Sequence, residues 1–297
     1  MLLIGVTMVR DEADVIEAFV RHNLRSLDRI LAVDHCSTDG TREILRALEA
    51  EGLGVVVEVD DDEGHRQAET ITRLARRAFA EDATIVFALD ADEFLKMPSR
   101  AAFERWIAGV PPPYCAALDW QTYLPPSRDR IPGGAVELAW RRAREAHGLH
   151  KVVLTRAFAA TPAATVGPGN HTVLMEGPQQ NLERHPVRLA RCPADVAALA
   201  HLPVRSVEQV MRKVETGWRA HVKANPPDAA LAIHWRELLA QFEARGAPDV
   251  DRYRTLALNY GIAMARWQPA AAIPIVRDPV PMAATNRYDA LARRAPS

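Results

Sequence analysis

Three carboxylates, Asp90, Asp92 and Glu93, fall within four positions directly after the apolar run at residues 85–89. Asp90 and Asp92 stand two apart, so continued strand geometry would direct both side chains to one side. Paired carboxylates suit a hard dication: magnesium and manganese take oxygen ligands, commonly one or two carboxylates together with substrate phosphates. A bound dication also removes the repulsion between like charges a few ångströms apart. Two histidines are candidates for a further metal ligand, a role imidazole fills for manganese more readily than for magnesium. His171 sits in the turn GPGNHTV, and His201 ends an apolar strand immediately before a helical segment. We favour His201, because a strand end is a rigid seat and the following loop, residues 203–206, could partner its other ring nitrogen. A general base requires one more carboxylate. Asp119, which leads into Trp120 in CAALDWQTY, is the first candidate, with Glu137 and Glu145 as alternatives.

The elements that must position these residues alternate between two periods. Residues 2–8, 29–34, 55–59 and 84–89 read as buried strands, separated by helical patterns at 15–27, 41–51 and 67–80. Four strands with three crossover helices specify an α/β, doubly wound, mostly parallel sheet, in which ligands bind beyond the carboxyl ends of the strands. Each strand is followed by polar residues: Arg10-Asp11-Glu12, then Asp34 to Gly40, then residues 60–66 including Arg66, then Asp90 to Glu93. Solvated loops and helix caps would also be polar, but four such clusters should share one sheet edge. Further strands are expected at 115–123, 151–157 and 197–202. Helices are expected from Ser206 onward, from 231 to 245 and from 252 to 267, with an irregular tail after Pro269. The expected organisation is a core at 1–204, comprising a donor-binding part (1–100) and an acceptor part (101–204), followed by a helical C-terminal segment (205–297).

Composition narrows the function classes. The chain has 297 residues, 48% of them hydrophobic, enough to bury a full core. A formal net charge of -1 provides no basic field for nucleic acid. Cys36, Cys115 and Cys192 are far apart, odd in number and without a CxxC spacing, which points away from zinc knuckles and disulfide frameworks. The N-terminal apolar run is too short for a signal sequence and no stretch of 18 apolar residues occurs. The expected location is therefore the cytoplasm, either free or peripheral to the inner face of the membrane.

The segments RDEADVIEAFVRHNL (10–24), DxxSTDGT (34–41) and DxDEF (90–94) resemble family 2-type glycosyltransferases of the GT-A fold over residues 1–100. A weaker echo of the same subgroup lies at HLPVRSVEQVMRKVETG, residues 201–217. The resemblance implies a GT-A sheet in which Asp34 to Asp39 hold the base and ribose of a nucleotide-sugar, with UDP favoured. Asp90 and Asp92 would bridge its diphosphate through Mn2+ or Mg2+, and Arg66 would be a nearby basic residue. Arg10, Glu12, Asp34, Ser37, Asp39, Arg66 and Asp90 are accordingly the donor-contacting candidates. Two departures stand out: His35 occupies a position where many relatives carry aspartate, and no ED pair occurs between Glu93 and Asp195. The implied reaction is metal-dependent sugar transfer to a hydroxyl of a glycan or other acceptor, with inversion. The runner-up is a nucleotidyltransferase, which would call for a glycine-rich basic loop where this chain reads MVRDEAD. A catalytically silent sugar-binding or scaffold protein is permitted by the missing ED pair, although the intact Asp90 and Asp92 argue against it.

Overall fold

The computed structural model describes residues 1–62, 64, 66–125, 136–146, 148–176, 184–224, 233–282 and 287–292. The proline-bearing loop read from the sequence at 125–134 falls, beyond residue 125, outside that set. Strands β1 (Leu3–Val9), β2 (Arg29–His35), β3 (Val55–Asp60) and β4 (Ile85–Ala88) pair in the parallel order 3-2-1-4. The crossovers are helices α1 (Ile16–Asn23), α2 (Thr41–Ala50) and α3 (Gln67–Ala80). Both faces of β1 and β4 are buried, as an apolar run between two helical layers requires. One layer packs Val15, Phe19, Leu45 and Phe103 against the sheet and the other packs Ile71, Leu74 and Phe158. Each such side chain contributes about 1.5–3 kcal/mol by leaving water.

The chain continues through β5 (Glu93–Lys96), α4 (Arg100–Ala108), β6 (Cys115–Thr122), β7 (Leu138–Arg142), β8 (His150–Leu154) and α5 (Arg156–Ala159). Strands β9 (Thr165–Val166), β10 (Val173–Glu176) and β11 (Arg184–Pro186) form a small antiparallel sheet. β12 (Leu189–Arg191) and β13 (Ala198–His201) both run parallel to β6. Strand direction then fixes where the chemistry gathers. β8 is antiparallel to both β4 and β6, so β6 and β13 run the same way as β1 to β4. Their carboxyl ends therefore share one edge, which also receives the starts of the reversed strands β5, at Glu93, and β8, at His150. The polar clusters after β1, β2, β3 and β4 lie along that edge, as the alternating pattern predicts.

Helices α6 (Val207–Ala224), α7 (Ile233–Arg245) and α8 (Val250–Asn259) build a third apolar cluster around Val210, Val214, Leu238 and Leu256, which Leu124 and Val204 join. Two expectations fail here. α8 stops at Asn259 rather than Trp267, because Tyr260 leaves the helical region and Gly261 follows at φ 78°. The Asn259 amide then closes the exit by bonding Gln268 in both directions. Nor is the tail irregular throughout its described residues: β14 (Ile275–Val280) pairs with β7, and α9 (Asp289–Ala292) docks beside α2. The β7–β14 register shifts between Arg277 and Val280, where Pro279 has no N–H to donate.

α9 sits against the loop after β2. A Cβ on Gly40 would collide with the backbone of Leu291, and Tyr288 Oη donates to Glu51 Oε1 at 2.5 Å. Gly40→Ala is therefore expected to destabilise the chain by about 1–3 kcal/mol, the scale for overpacking a tight contact. Urea unfolding checks this, and an unchanged midpoint would show that the contact carries no stability.

Candidate active site

β4 ends at Ala88 and residues 91–92 turn, so the strand geometry expected to align Asp90 with Asp92 does not persist. Glu93 fastens this turn. Its N–H donates to the Asp90 carbonyl (3.1 Å), its Oε2 accepts from the Asp90 N–H (2.9 Å), and its Oε1 accepts from Trp120 Nε1 (2.5 Å). The outcome is an asymmetric pair: the Asp90 side chain is 30% exposed and the Asp92 side chain 2%.

Asp92 is surrounded by side chains from the far end of the chain. Its Oδ2 accepts from Lys213 Nζ at 2.5 Å and lies 3.8 Å from Arg205, while its Oδ1 faces His201 Nε2 at 3.7 Å. Burial opposes the charged form, but Lys213 foremost holds the Asp92 carboxyl below the usual range. His201 stacks on Trp120 with ring centroids 4.0 Å apart, and His171 meets the same indole edge-on at 5.1 Å. Burial lowers His201 to about 3 and His171 to about 4, so both are neutral imidazoles at pH 7. His171 Nδ1 is committed to the His150 carbonyl at 2.6 Å, while the ring of His201 presents Nε2 to Asp92.

The cluster carries an excess of negative charge. Glu12 and Asp14 bind Arg205, Glu12 also lies 3.7 Å from Lys213, and Lys151 bonds Asp90 and sits 3.4 Å from Glu93. Five carboxylates thus face three cations. Burial pushes Glu12 up to about 7 and Glu93 up to about 8, against the pull of their basic neighbours, so Glu93 is largely protonated at pH 7 and relieves part of that excess. A dication would offset what remains and favour the ionised forms. Asp92 Oδ1 and His201 Nε2 suit it in chemistry and separation, since ligands at about 2.1 Å from one ion lie about 3–4 Å from each other. Among the described residues no preassembled group of three metal-ligating side chains occurs.

The loop after β2 divides into bracing and open groups. Ser37 Oγ accepts from the Asp11 N–H, and Asp39 accepts from Thr41 and from the Ala13 N–H, so both tie this loop to the one after β1. His35 is 1% exposed and bonds the Asp62 carbonyl through Nε2 at 2.6 Å, a structural partnership. Asp34 differs: its side chain is fully buried, Oδ2 accepts from Arg42 Nε at 2.7 Å, and Oδ1 has no hydrogen-bond partner. Arg10 Nε at the end of β1 is also buried without a hydrogen-bond partner. Arg66 precedes α3 and pairs with Asp62 at 2.7 Å; its neighbour Gln67 instead reaches Asp90 at 2.9 Å.

The three candidate bases lie in different settings. Asp119 pairs with Arg191 and, by strand alternation, faces away from the side on which Trp120 meets Glu93 and His201. Glu137 is exposed just ahead of β7. Glu145 accepts from the Thr122 N–H at 2.7 Å and from Thr122 Oγ1 at 2.8 Å, at the carboxyl end of β6, where Thr122 is in register with His201. Sequence reasoning misses Lys213, Arg205 and Trp120 as members of the cluster. Lys151 is also buried here, and its position at the start of the apolar stretch KVVL is the one sequence signal of that.

Several solved structures are distantly similar. A mannosyltransferase from Pyrobaculum calidifontis, solved in complex with GDP-Man and Mn2+, is 17% identical with a TM-score of 0.38, over 83% of this chain and 76% of that one. HddC from Yersinia pseudotuberculosis is 9% identical with a TM-score of 0.34, over 76% of this chain and 100% of that one. A mannose-1-phosphate geranyltransferase from Thermus thermophilus is 14% identical with a TM-score of 0.30, over 93% of this chain and 76% of that one. No curated protein matches the sequence. No helix among the described residues is long and apolar enough to cross a membrane. Residues 6–98, which hold both the loop after β2 and the turn carrying Asp90, Asp92 and Glu93, match the Glycosyl transferase family 2 model.

Proposed function

We propose that the protein is a metal-dependent, inverting glycosyltransferase that moves a sugar from a nucleoside-diphosphate donor, UDP-sugar favoured, to a hydroxyl of a glycan or other acceptor. The observation that carries this reading is the convergence, at one carboxyl edge, of an unpartnered buried carboxylate oxygen on Asp34 with the facing pair Asp92 and His201. The family 2 match over residues 6–98 supports it. A carboxylate oxygen can only accept, so Asp34 selects a base that presents a ring N–H, as uracil and guanine do and cytosine and adenine do not. Arg10 Nε donates to a ribose or phosphate oxygen. Asp92 and His201 would hold Mn2+ or Mg2+, which when bound offsets charge on the leaving diphosphate. Glu145, fixed by Thr122, takes the proton from the acceptor hydroxyl as it attacks the anomeric carbon from the face opposite the diphosphate.

Calorimetric titration with UDP, GDP and UDP-sugars, with and without Mn2+, tests the reading. Mn2+-dependent binding of a nucleoside diphosphate is expected, and its absence across the set would overturn the proposal. In the same assay Asp34→Ala is expected to weaken UDP binding by about 1–3 kcal/mol, the scale for an unmatched buried polar group. A bound structure with the base remote from residues 34–39 would exclude that role.

A further inference from the structure

Among the described residues the central sheet ends at β5, which pairs with β13 on one side and has no strand on the other. Helix α1 takes that place. Asn23 Nδ2 donates to the Glu93 carbonyl at 3.0 Å, and Asn23 Oδ1 accepts from the Leu95 N–H at 2.8 Å. A carbonyl and the N–H two residues on are the groups a neighbouring strand would engage, so one carboxamide stands in for a strand partner. His22 Nε2 adds a third bond, donating to the Leu95 carbonyl at 2.8 Å, and its ring meets Phe94 edge-on at 5.6 Å. Asn23 and His22 are both buried, so water is not there to replace either of them.

These bonds fall at the residue that fastens the carboxylate turn. Glu93 receives Asn23 on its carbonyl, while its N–H and side chain hold Asp90 and Trp120. The other end of α1 reaches the same region: the Val15 and Ile16 N–H groups donate to the Glu12 carbonyl, and the Glu12 side chain binds Arg205. α1 has eight residues and so acts as a rigid spacer of about 12 Å. It fixes the free edge of β5 relative to the loop after β1. Without that grip the edge would open locally, and Glu93 would lose its place against Asp90.

We propose that Asn23 is a positioning residue for donor binding: by gripping the free edge of β5 it holds Glu93, and through Glu93 the turn at residues 90–93, in the geometry that takes a nucleoside diphosphate with its dication. This rests on the glycosyltransferase reading above. Asn23 acts through Glu93 and does not touch substrate.

The test is calorimetric titration of UDP in the presence of Mn2+, set beside urea unfolding. Asn23→Leu removes both bonds at nearly constant volume, and its affinity is expected to fall by about tenfold or more, the scale of losing a group that supports a ligand. Ile16→Val trims a buried side chain of the same helix and removes no hydrogen bond, so it is expected to lower the urea midpoint and leave the affinity unchanged. Wild-type affinity in Asn23→Leu overturns the proposal. An equal loss in Ile16→Val overturns it too, because helix stability alone would then govern binding. Should Asn23→Leu not fold, amide exchange in the wild type decides. Coupling is reciprocal, so UDP with Mn2+ is expected to slow exchange at the Leu95 N–H more than at the Ile30 N–H, which bonds the Gly54 carbonyl near the opposite edge. Equal slowing at both overturns the proposal. Intact UDP binding in the wild type, with Asn23→Leu unchanged, sinks only this inference. A wild type that binds no UDP with Mn2+ sinks the glycosyltransferase reading with it.

Discussion

Replacing Asp92 with asparagine is expected to abolish the Mn2+-dependent part of UDP binding, and replacing it with alanine to do so while also destabilising the fold by about 3–5 kcal/mol. The two effects share one cause. Asp92 is the carboxylate on which Lys213, Arg205 and His201 converge, and Asp92, Arg205 and His201 are all nearly fully buried. Removing it leaves an ammonium and a guanidinium facing each other without their shared counter-charge, which is the situation that makes breaking a buried ion pair costly. Asparagine also removes the counter-charge but keeps the volume and one acceptor oxygen, so its stability is expected to fall between wild type and alanine while its metal binding is lost. Calorimetry with UDP and Mn2+ reads the first effect and urea unfolding the second. Mn2+-dependent affinity surviving in the asparagine variant would remove Asp92 from the metal. An unfolding midpoint for the alanine variant equal to wild type would show that Arg205 and Lys213 are satisfied by Glu12 and Asp14 alone.

That coupling of stability to the site also separates what the sequence makes legible from what it does not. The parallel half of the sheet is readable because each strand is a short apolar run and each crossover is amphipathic; α3 begins and ends where the pattern predicts. The polar clusters at the carboxyl edge follow from strand direction alone. The partners of Asp92 do not, because Lys213 lies 121 residues away and is brought there only by the way β13 and α6 follow each other. A lysine within a helical repeat reads as solvated, and nothing local marks it as a buried counter-ion. The same holds for Glu93, which as the third acid of an acidic turn looks like a ligand but is buried as the fastening of that turn. His201 is legible as a seat at a strand end, whereas its stacking on Trp120 depends on the β6–β13 register. The tail misleads because its Pro and Ala content suggests irregular chain, while β14 gains its order from β7 and from Asp278, which binds Lys96 and Arg141.

The identity of the base is where the structure changes the ranking most. Asp119 leads by sequence, since it follows a strand in the expected register, but its carboxylate is engaged by Arg191 at a half-exposed position and faces away from Trp120. Glu145 has the better attributes of a general base. Two hydrogen bonds from one residue, Thr122, fix its orientation, and a carboxylate with about four lone-pair sites retains acceptor capacity after both. It is anchored at the carboxyl end of β6, beside the strand end that carries His201, and it is partly exposed, so an acceptor hydroxyl can reach it. Glu145→Gln preserves the bond from the Thr122 N–H and the side-chain volume while removing the basic group. Turnover is expected to fall by about 10²–10⁴-fold, the contribution of a positioned general base, with Mn2+-dependent UDP affinity unchanged. Asp119→Asn is expected to change turnover by less than about tenfold, because an exposed ion pair contributes about 0–1 kcal/mol. Both are read from initial rates of UDP release at saturating donor. A large loss in Asp119→Asn with Glu145→Gln near wild type would reverse the assignment and place the acceptor on the Arg191 side of β6.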